Sequence, residues 1–269
     1  MYTFDYQRPD AVAAAAQAAG AEDVRFLAGG QSLIQAMKLR LSQPTALVDL
    51  GGIASLAGIT VTGSTVRIGA MTRHSAVAAS ADVKRLIPAL AELAGGIGDP
   101  MVRNAGTIGG SLANSDPAAC YPAGVLGLGA TIMTDRRSIP GDAFFTGLFE
   151  TALQAGELIV AVDFPAPARA AYLKFKHPAS RFALVGVFVS QGAGGTRVGV
   201  TGVKSHAFRW REAEQALDQK GFSPAALDGL ALDPSDVNAD LHGSADYRAA
   251  LVATLTRRAV AQANGAAHA

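Results

Sequence analysis

Cysteine is almost absent: Cys120 is the only one among 269 residues. One thiol excludes an intrachain disulfide, a thiolate zinc cluster and a four-thiolate iron–sulfur centre, so any such centre in the chemistry belongs to a partner chain. Charge of one sign is equally scarce. The chain carries 23 Lys and Arg against 22 Asp and Glu, a net +1, and charged residues make up 17%. It lacks the basic excess of a nucleic-acid binder, and nucleic acid is not expected as a partner. Long apolar runs are missing too. The mean hydropathy is +0.23, yet the longest apolar stretch, Pro122 to Met133, is well short of the ~20 residues of a membrane helix, so no transmembrane segment is expected. Asp5 and Arg8 stand where a secretory signal would place its apolar segment, and the expected location is cytoplasmic. His74, His177 and His206 show no metal-ligand spacing and read as surface or internally bonded histidines. No Gly-x-Ser-x-Gly elbow occurs, which leaves a hydrolase of that type unsupported.

What is present in excess is glycine, 30 of 269 residues or about 11% against an average near ~7%, with no three-residue period; this points to tight turns. The length suits one to three compact units. The opening reads as helix, strand, glycine turn, helix, strand. Asp10 caps an alanine-rich helix closed by Gly20, VRFL runs into Gly29-Gly30, Leu33, Met37 and Leu41 recur at helical spacing, and Thr45 to Leu50 is a buried strand. A second unit begins with a hairpin at Gly63-Ser64. In it Asp82 caps a helix that Pro88 should kink or shorten, and Gly127 to Met133 and Glu157 to Pro165 read as strands. Pro165 and Pro167 mark a linker. Beyond it, two β-type segments joined at Gly192 to Gly195 read as an antiparallel pair; helices follow, and the last five residues are expected to fray.

Two glycine motifs hold the chemistry. The first, Ala28-Gly29-Gly30-Gln31-Ser32-Leu33, lies between a strand and a helix, where backbone can approach a ligand closely and amides and a hydroxyl can donate to phosphate oxygens. The second, Thr107-Ile108-Gly109-Gly110-Ser111, is followed by Asn114 and Asp116, which can bond a ribose or a ring edge. Two such loops could clamp one diphosphate. Gly127-Leu128-Gly129 lacks the third glycine of a dinucleotide fingerprint, and Gly202-Val203-Lys204-Ser205 breaks the spacing of a phosphate loop.

AGGQSLIQAMKLR (28–40), TIGGSLANSDP (107–117) and GELIVAVDFP (156–165) resemble, in order, the motifs of the FAD-binding medium subunits of molybdenum hydroxylases. The likeness is greater to the carbon monoxide dehydrogenase type than to the flavin domain of xanthine dehydrogenase. MYTFDYQRP, YLKFKHPASRFALVGV and LHGSADYRAALVATLTRRAV extend it over almost the whole chain. The resemblance implies an α+β fold: two α/β FAD-binding subdomains of PCMH type over 1–55 and 56–166, then a C-terminal domain of antiparallel sheet plus helices over 167–269. It implies non-covalent FAD, with the diphosphate on Ala28 to Leu33 and Thr107 to Ser111. Leu27, Ile97, Asp116, Leu158 and Lys174 would lie near flavin or adenosine, and Phe182 would cover the ring.

The implied function is electron transfer within a heterotrimeric molybdenum hydroxylase or dehydrogenase. Substrate oxidation would sit on a large molybdopterin-binding subunit, electrons would pass through [2Fe-2S] clusters of a small subunit, and this chain's FAD would deliver them to an external acceptor. A dimer of heterotrimers is the expected assembly, and no catalytic side chain is expected here. The sequence departs from the family at two positions: Ser111 stands where Asn is common, and Cys120 stands where relatives often carry Asp near the ribose. Two other readings stay open, a redox-inert structural subunit that has lost FAD and a stand-alone flavin oxidoreductase.

Overall fold

The computed structural model describes residues 1–20 and 23–265. Three larger sheets follow one another along the chain, with a two-stranded hairpin, Phe145–Gly147 and Glu150–Thr151, set between strands of the second. The loops between them line a cavity.

In the first sheet the parallel strands Asp5–Gln7, Ala46–Asp49 and Val24–Leu27 lie in that spatial order. Parallel neighbours require crossovers, which the helices Val12–Ala18 and Leu33–Lys38 supply. The strand Asp5–Gln7 was not anticipated: its residues are all exposed, so it carries no buried pattern. Asp10 does not cap the first helix; Ala11 holds that position and makes no side-chain cap. Met37 is buried as its spacing predicted, but the second helix ends at Lys38 and leaves Leu41 exposed.

The second sheet has five antiparallel strands in the order Ile59–Thr62, Thr65–Gly69, Ile159–Pro165, Thr131–Thr134, Ser138–Pro140. Its first hairpin turns at Gly63-Ser64, with Thr62 opposite Thr65 and Gly63 at φ +58°. Ser80, not Asp82, caps the helix Ala81–Leu86, its hydroxyl accepting from the Val83 amide; Asp82 pairs instead with Arg85. Pro88 ends that helix and starts the next, Pro88–Gly95, at a position where a missing amide hydrogen costs nothing.

The longest apolar run is a helix, Cys120–Leu128, followed by the short strand Thr131–Thr134, so the expectation of a strand from Gly127 fails. Every residue of that helix is buried. A run that is apolar on all sides has no period by which helix and strand can be told apart. The helix lies against the third sheet: a methyl at Gly199 would be 2.2 Å from the Ala123 carbonyl oxygen, and one at Gly127 would be 2.7 Å from the Phe188 ring.

The third sheet is antiparallel, Arg169–Lys176, Ala183–Gly192, Gly195–Thr201 and Phe208–Arg209, with Gly192 opposite Gly195 at the expected turn. It begins just past Pro165 and Pro167. Helices Arg211–Lys220 and Ala245–Ala263 bury Leu217, Val252, Leu255 and Val260 against its valines. The architecture is thus α+β, with a C-terminal antiparallel sheet carrying helices. Of the five residues expected to fray, 266–269 lie outside the described residues.

Candidate functional site

A cavity of about 1020 Å³ runs between the three parts of the chain. That volume is at the upper end of the ~300–1,000 Å³ typical of small-molecule sites, so it admits a long ligand. Its walls include both glycine motifs, the segment 146–159 and the loop 179–182 of the C-terminal sheet.

The first motif follows the strand Val24–Leu27 and precedes the helix Leu33–Lys38. Gly30 takes φ +69°, a left-handed conformation that only glycine adopts freely. The backbone amides of Gly29, Gly30, Gln31, Ser32 and Leu33 have no acceptor among the described residues, and the Ser32 hydroxyl caps nothing. These five residues line the cavity, and their amide donors are without acceptors among the described residues. Gly29, Gly30 and Leu33 are half-buried, where amides are ordinarily paired, and such a row is suited to a polyoxyanion.

The second motif is built differently. The Ile108 amide donates to the Thr72 carbonyl at 3.1 Å, Gly109 to the Ala70 carbonyl at 2.8 Å and Ser111 to the Thr107 carbonyl at 3.0 Å. Gly110 donates to the Thr107 hydroxyl at 3.2 Å, which caps the helix Ile108–Asn114. Those amides are therefore committed within the protein, and what this motif presents to the cavity is its side chains Thr107, Ser111, Asn114 and Asp116.

Its glycines also serve packing. A methyl at Gly109 would stand 2.6 Å from the Ala70 methyl, and one at Gly29 would stand 2.1 Å from the Ala105 carbonyl oxygen. Gly106 in turn lies on His74, where a methyl would be 2.6 Å from Nε2. These glycines line the cavity and also let three backbone segments stack.

His74 is not a surface histidine. It is 4% exposed, lines the cavity and tilts against the Tyr121 ring at 5.3 Å, and its Nδ1 has no partner among the described residues. Burial, with the nearby Arg103 charge, lowers its pKa to about 4, so it is neutral. Burial raises the Asp116 carboxyl, opposed by the Ala118 amide that donates to it at 2.8 Å. Glu157 is held down to about 2 first by Arg137, at 2.9 Å, and also by the Gln154 amide and the Thr134 hydroxyl; this fixes the wall from Gln154 to Leu158.

Of the residues expected at the site, Gly29, Gly30, Gln31, Ser32, Leu33, Ile97, Thr107, Gly109, Gly110, Ser111, Asp116, Leu158 and Lys174 line the cavity, as does Phe182. Leu27, Ala28 and Ile108 do not: Leu27 packs beneath Gly30, Ala28 meets Gly110, and Ile108 is wholly buried in the second core. Lys174 reaches the wall but donates to protein, to the Gly96 carbonyl at 2.7 Å, the Arg181 carbonyl at 3.2 Å and the Cys120 thiol at 3.3 Å. Cys120, though buried, also lines the cavity. Sequence reasoning missed His74 and Phe149. Phe149, 56% exposed at φ +55°, sits at a hairpin tip on the cavity wall, and no spacing in the sequence could have placed it there. Among the described residues no cluster of three metal-ligating side chains occurs, and no helix is long and apolar enough to cross a membrane.

Comparison with known proteins agrees with this geometry. Residues 2–167 match the FAD binding domain in molybdopterin dehydrogenase, and residues 170–263 match the CO dehydrogenase flavoprotein C-terminal domain. The carbon monoxide dehydrogenase medium chain of Hydrogenophaga pseudoflava is 36% identical, with 96% of each chain covered. The nicotine 6-hydroxylase medium subunit of Paenarthrobacter nicotinovorans is 34% identical, with 90% of each covered. Among solved structures, a chain of the Hydrogenophaga pseudoflava carbon monoxide dehydrogenase superposes with a TM-score of 0.89 at 36% identity, covering 97% of both chains. One of quinoline 2-oxidoreductase from Pseudomonas putida 86 gives 0.88 at 29% identity, covering 99% of both. Free donors in a long cavity, two matched domains and these full-length likenesses lead to one assignment: the chain belongs to the FAD-binding medium subunits of the molybdenum hydroxylase family.

Proposed function

We propose that this chain holds one FAD non-covalently in the 1020 Å³ cavity and serves as the electron outlet of a molybdenum hydroxylase complex. The observation that carries this reading is the row of acceptor-free amides from Gly29 to Leu33 on the cavity wall. When bound, FAD supplies an isoalloxazine able to take up electrons singly and release them in pairs. The chain's own residues bind and orient. The first loop and the Ser32 hydroxyl receive the diphosphate, the facing motif with Ser111 lies beneath it as a floor, and Asp116 receives the ribose. Ile97, Leu158 and Phe182 give apolar surface to the rings. No general acid or base is required of them, because the primary substrate reacts elsewhere.

The partners in this reading are a large molybdopterin-binding subunit and a small [2Fe-2S] subunit, in a dimer of heterotrimers in the cytoplasm. Supporting this, relatives bear names of complexes that differ in substrate, carbon monoxide, nicotine and caffeine among them, while their medium or equivalent subunits resemble this one. The divisions at 55/56 and 166/167 then separate two FAD-binding subdomains from the C-terminal domain.

The test is to add FAD to the purified chain, desalt, record the visible spectrum and identify the flavin released on denaturation. Retained, releasable FAD is expected. A folded chain that stays colourless, even when co-expressed with its two partners, would instead be the redox-inert structural subunit. Turnover of a reduced substrate by the FAD-loaded chain alone would identify a stand-alone oxidoreductase.

A further inference from the structure

The loop 177–182 brings Ala179, Ser180 and Arg181 to the cavity wall, and at its first residue it is tied to a distant turn. His177 Nε2 lies 3.2 Å from His242 Nδ1, and the two rings meet edge to face with centroids 4.3 Å apart. His177 follows the strand Arg169–Lys176, whereas His242 belongs to the turn 240–243 ahead of the helix Ala245–Ala263. The protons of this contact can be placed. The Ala179 and Ser180 amides donate to His177 Nδ1 at 3.3 and 3.1 Å. A nitrogen that accepts amides carries a lone pair, so the hydrogen of a neutral His177 ring is on Nε2. That Nε2–H donates to His242 Nδ1, which is therefore unprotonated, and the hydrogen of His242 is on its own Nε2, away from the contact. The assignment also excludes a metal held between the rings, because a metal needs the lone pair of His177 Nε2 and its Nδ1 hydrogen turned outward as a donor.

The bond between the rings thus exists only while both are neutral. A proton added to His242 goes to Nδ1 and sets N–H against N–H; one added to His177 goes to its Nδ1 and opposes two amides. The turn is the fixed end. Asp240 accepts from the His242 amide and from Arg248, each at 2.8 Å, and Arg248, 5% exposed, also donates to the Leu184 and Gly202 carbonyls at 3.0 and 2.7 Å. The charged groups near the pair are Lys176 and Arg181 on the loop side and Asp240, Asp246 and Arg248 on the side of the turn and helix. A pocket beside the rings, walled by Phe175, Pro178, Ala179, Leu184 and Tyr247, adds only the Tyr247 hydroxyl. The His242 amide first, and then Arg248, hold the Asp240 carboxyl below the ordinary carboxylate range. Asp240 therefore stays charged and attracts a protonated His242 toward its own turn, not across to the loop.

We propose that His177 and His242 form a proton-sensitive clasp, which ties the 177–182 loop to the turn 240–243 while both rings are neutral and releases it when either takes up a proton. Imidazole is the side chain that gains a proton between about pH 8 and 5. Acid then loosens one wall of the cavity from outside, without contact between the clasp and whatever the cavity holds. The clasp does not rest on the identity of that ligand.

The first experiment needs no variant. Nitrogen-15 NMR of the histidine rings of the full-length apo chain, assigned through bonds at about pH 8, reads the tautomers directly. Both His177 and His242 are expected with hydrogen on Nε2; hydrogen on Nδ1 of either ring overturns the proposal. The second follows amide hydrogen exchange of the 177–182 segment by mass spectrometry, expressed as protection relative to the intrinsic rate at each pH. Between about pH 8 and about 5.5, wild-type protection should fall at least ~5-fold, as for the loss of one hydrogen bond. His242→Asn offers a carbonyl oxygen at the branch position of Nδ1 and takes up no proton, so its fall should be under ~2-fold. His242→Leu has no acceptor and should show the lower protection already at about pH 8. An equal fall in wild type and His242→Asn would mean that acid loosens the loop by another route. Wild-type protection in His242→Leu would mean that the pair holds nothing, and either result overturns the clasp.

Discussion

The two glycine loops look alike in sequence and do opposite things with their backbones. From Gly29 to Leu33 the amides have no acceptor among the described residues, and the chain turns through a left-handed glycine. From Ile108 to Ser111 the amides bond the Ala70 and Thr72 carbonyls and Thr107. A Gly-Gly pair beside a helix is therefore not by itself a phosphate cradle. What distinguishes a donor loop is whether the fold has already supplied acceptors, and the second loop has been given them by the segment around Ala70. The first loop is left to the ligand; the second is the floor on which it rests, since Gly29 packs against Ala105 and Gly106.

The largest effect should come from separating the two loops. A methyl at Gly29 would lie 2.1 Å from the Ala105 carbonyl oxygen, backbone against backbone, with no flexible side chain to yield. Gly29→Ala should cost at least ~4 kcal/mol or abolish folding. At Gly110 the nearest atom is the Thr107 hydroxyl at 3.0 Å, so Gly110→Ala should cost only ~1 kcal/mol. Urea denaturation of the apo chains measures both; equal losses would mean that the loops do not stack as described.

A charge comes next. Ser32 and Ser111 both line the cavity, but the free amides surround only Ser32. Ser32→Asp should weaken FAD binding by about 100-fold, roughly 3 kcal/mol, and Ser111→Asp by about 10-fold. Fluorescence titration of the apo chains gives the two constants, and a reversed order would move the diphosphate to the second loop.

Much of this was legible in the sequence, and the exceptions have physical reasons. The Gly63-Ser64 and Gly192–Gly195 turns and the break at Pro88 were readable because local backbone chemistry decides them, whereas Pro165, read as linker, ends a strand opposite Thr65. The helix Cys120–Leu128 was not, because burial on every side erases the period that marks an element. At the site, both loops were found, yet the commitment of the second loop's amides was hidden. Gly110 and Ser111 bond Thr107 within the motif, but the acceptors of Ile108 and Gly109, the carbonyls of Thr72 and Ala70, lie more than thirty residues away in sequence, and a carbonyl leaves no mark in the residue type. Lys174 was located at the site, but its three protein acceptors come from distant segments. His74 read as an ordinary histidine because only the fold buries it.

That histidine offers a pH test of the second loop alone. Its backbone amide bonds the Gly106 carbonyl at 3.0 Å, and its ring backs Gly106. Its folded pKa, about 4, is below the ordinary 6.5, so the unfolded chain binds the proton first. The stability it confers is complete above pH 6.5 and is lost as the pH falls toward about 4. The loss should be on the order of 2 kcal/mol. Glu157, held down to about 2 from its ordinary 4.5, shares only the lowest part of this window, so comparison with a His74 variant separates the two. His74→Gln should flatten the slope between pH 6.5 and 4; an unchanged slope would show that the ring is not what titrates.

The smallest effect sharpens the contrast most. If the second loop is floor rather than cradle, the Thr107 hydroxyl matters chiefly as a helix cap, accepting from the Gly110 amide at 3.2 Å. Thr107→Val keeps the shape and removes the cap, so it should cost about 1 kcal/mol of stability. FAD affinity should change by less than about 3-fold, under ~0.7 kcal/mol. The two numbers must be taken on the same preparation, because the argument lies in their ratio. A stability loss with little change in affinity keeps the hydroxyl in the protein's own network. A large loss of affinity at unchanged stability would make Thr107 a ligand contact, and the two loops would then share the diphosphate after all.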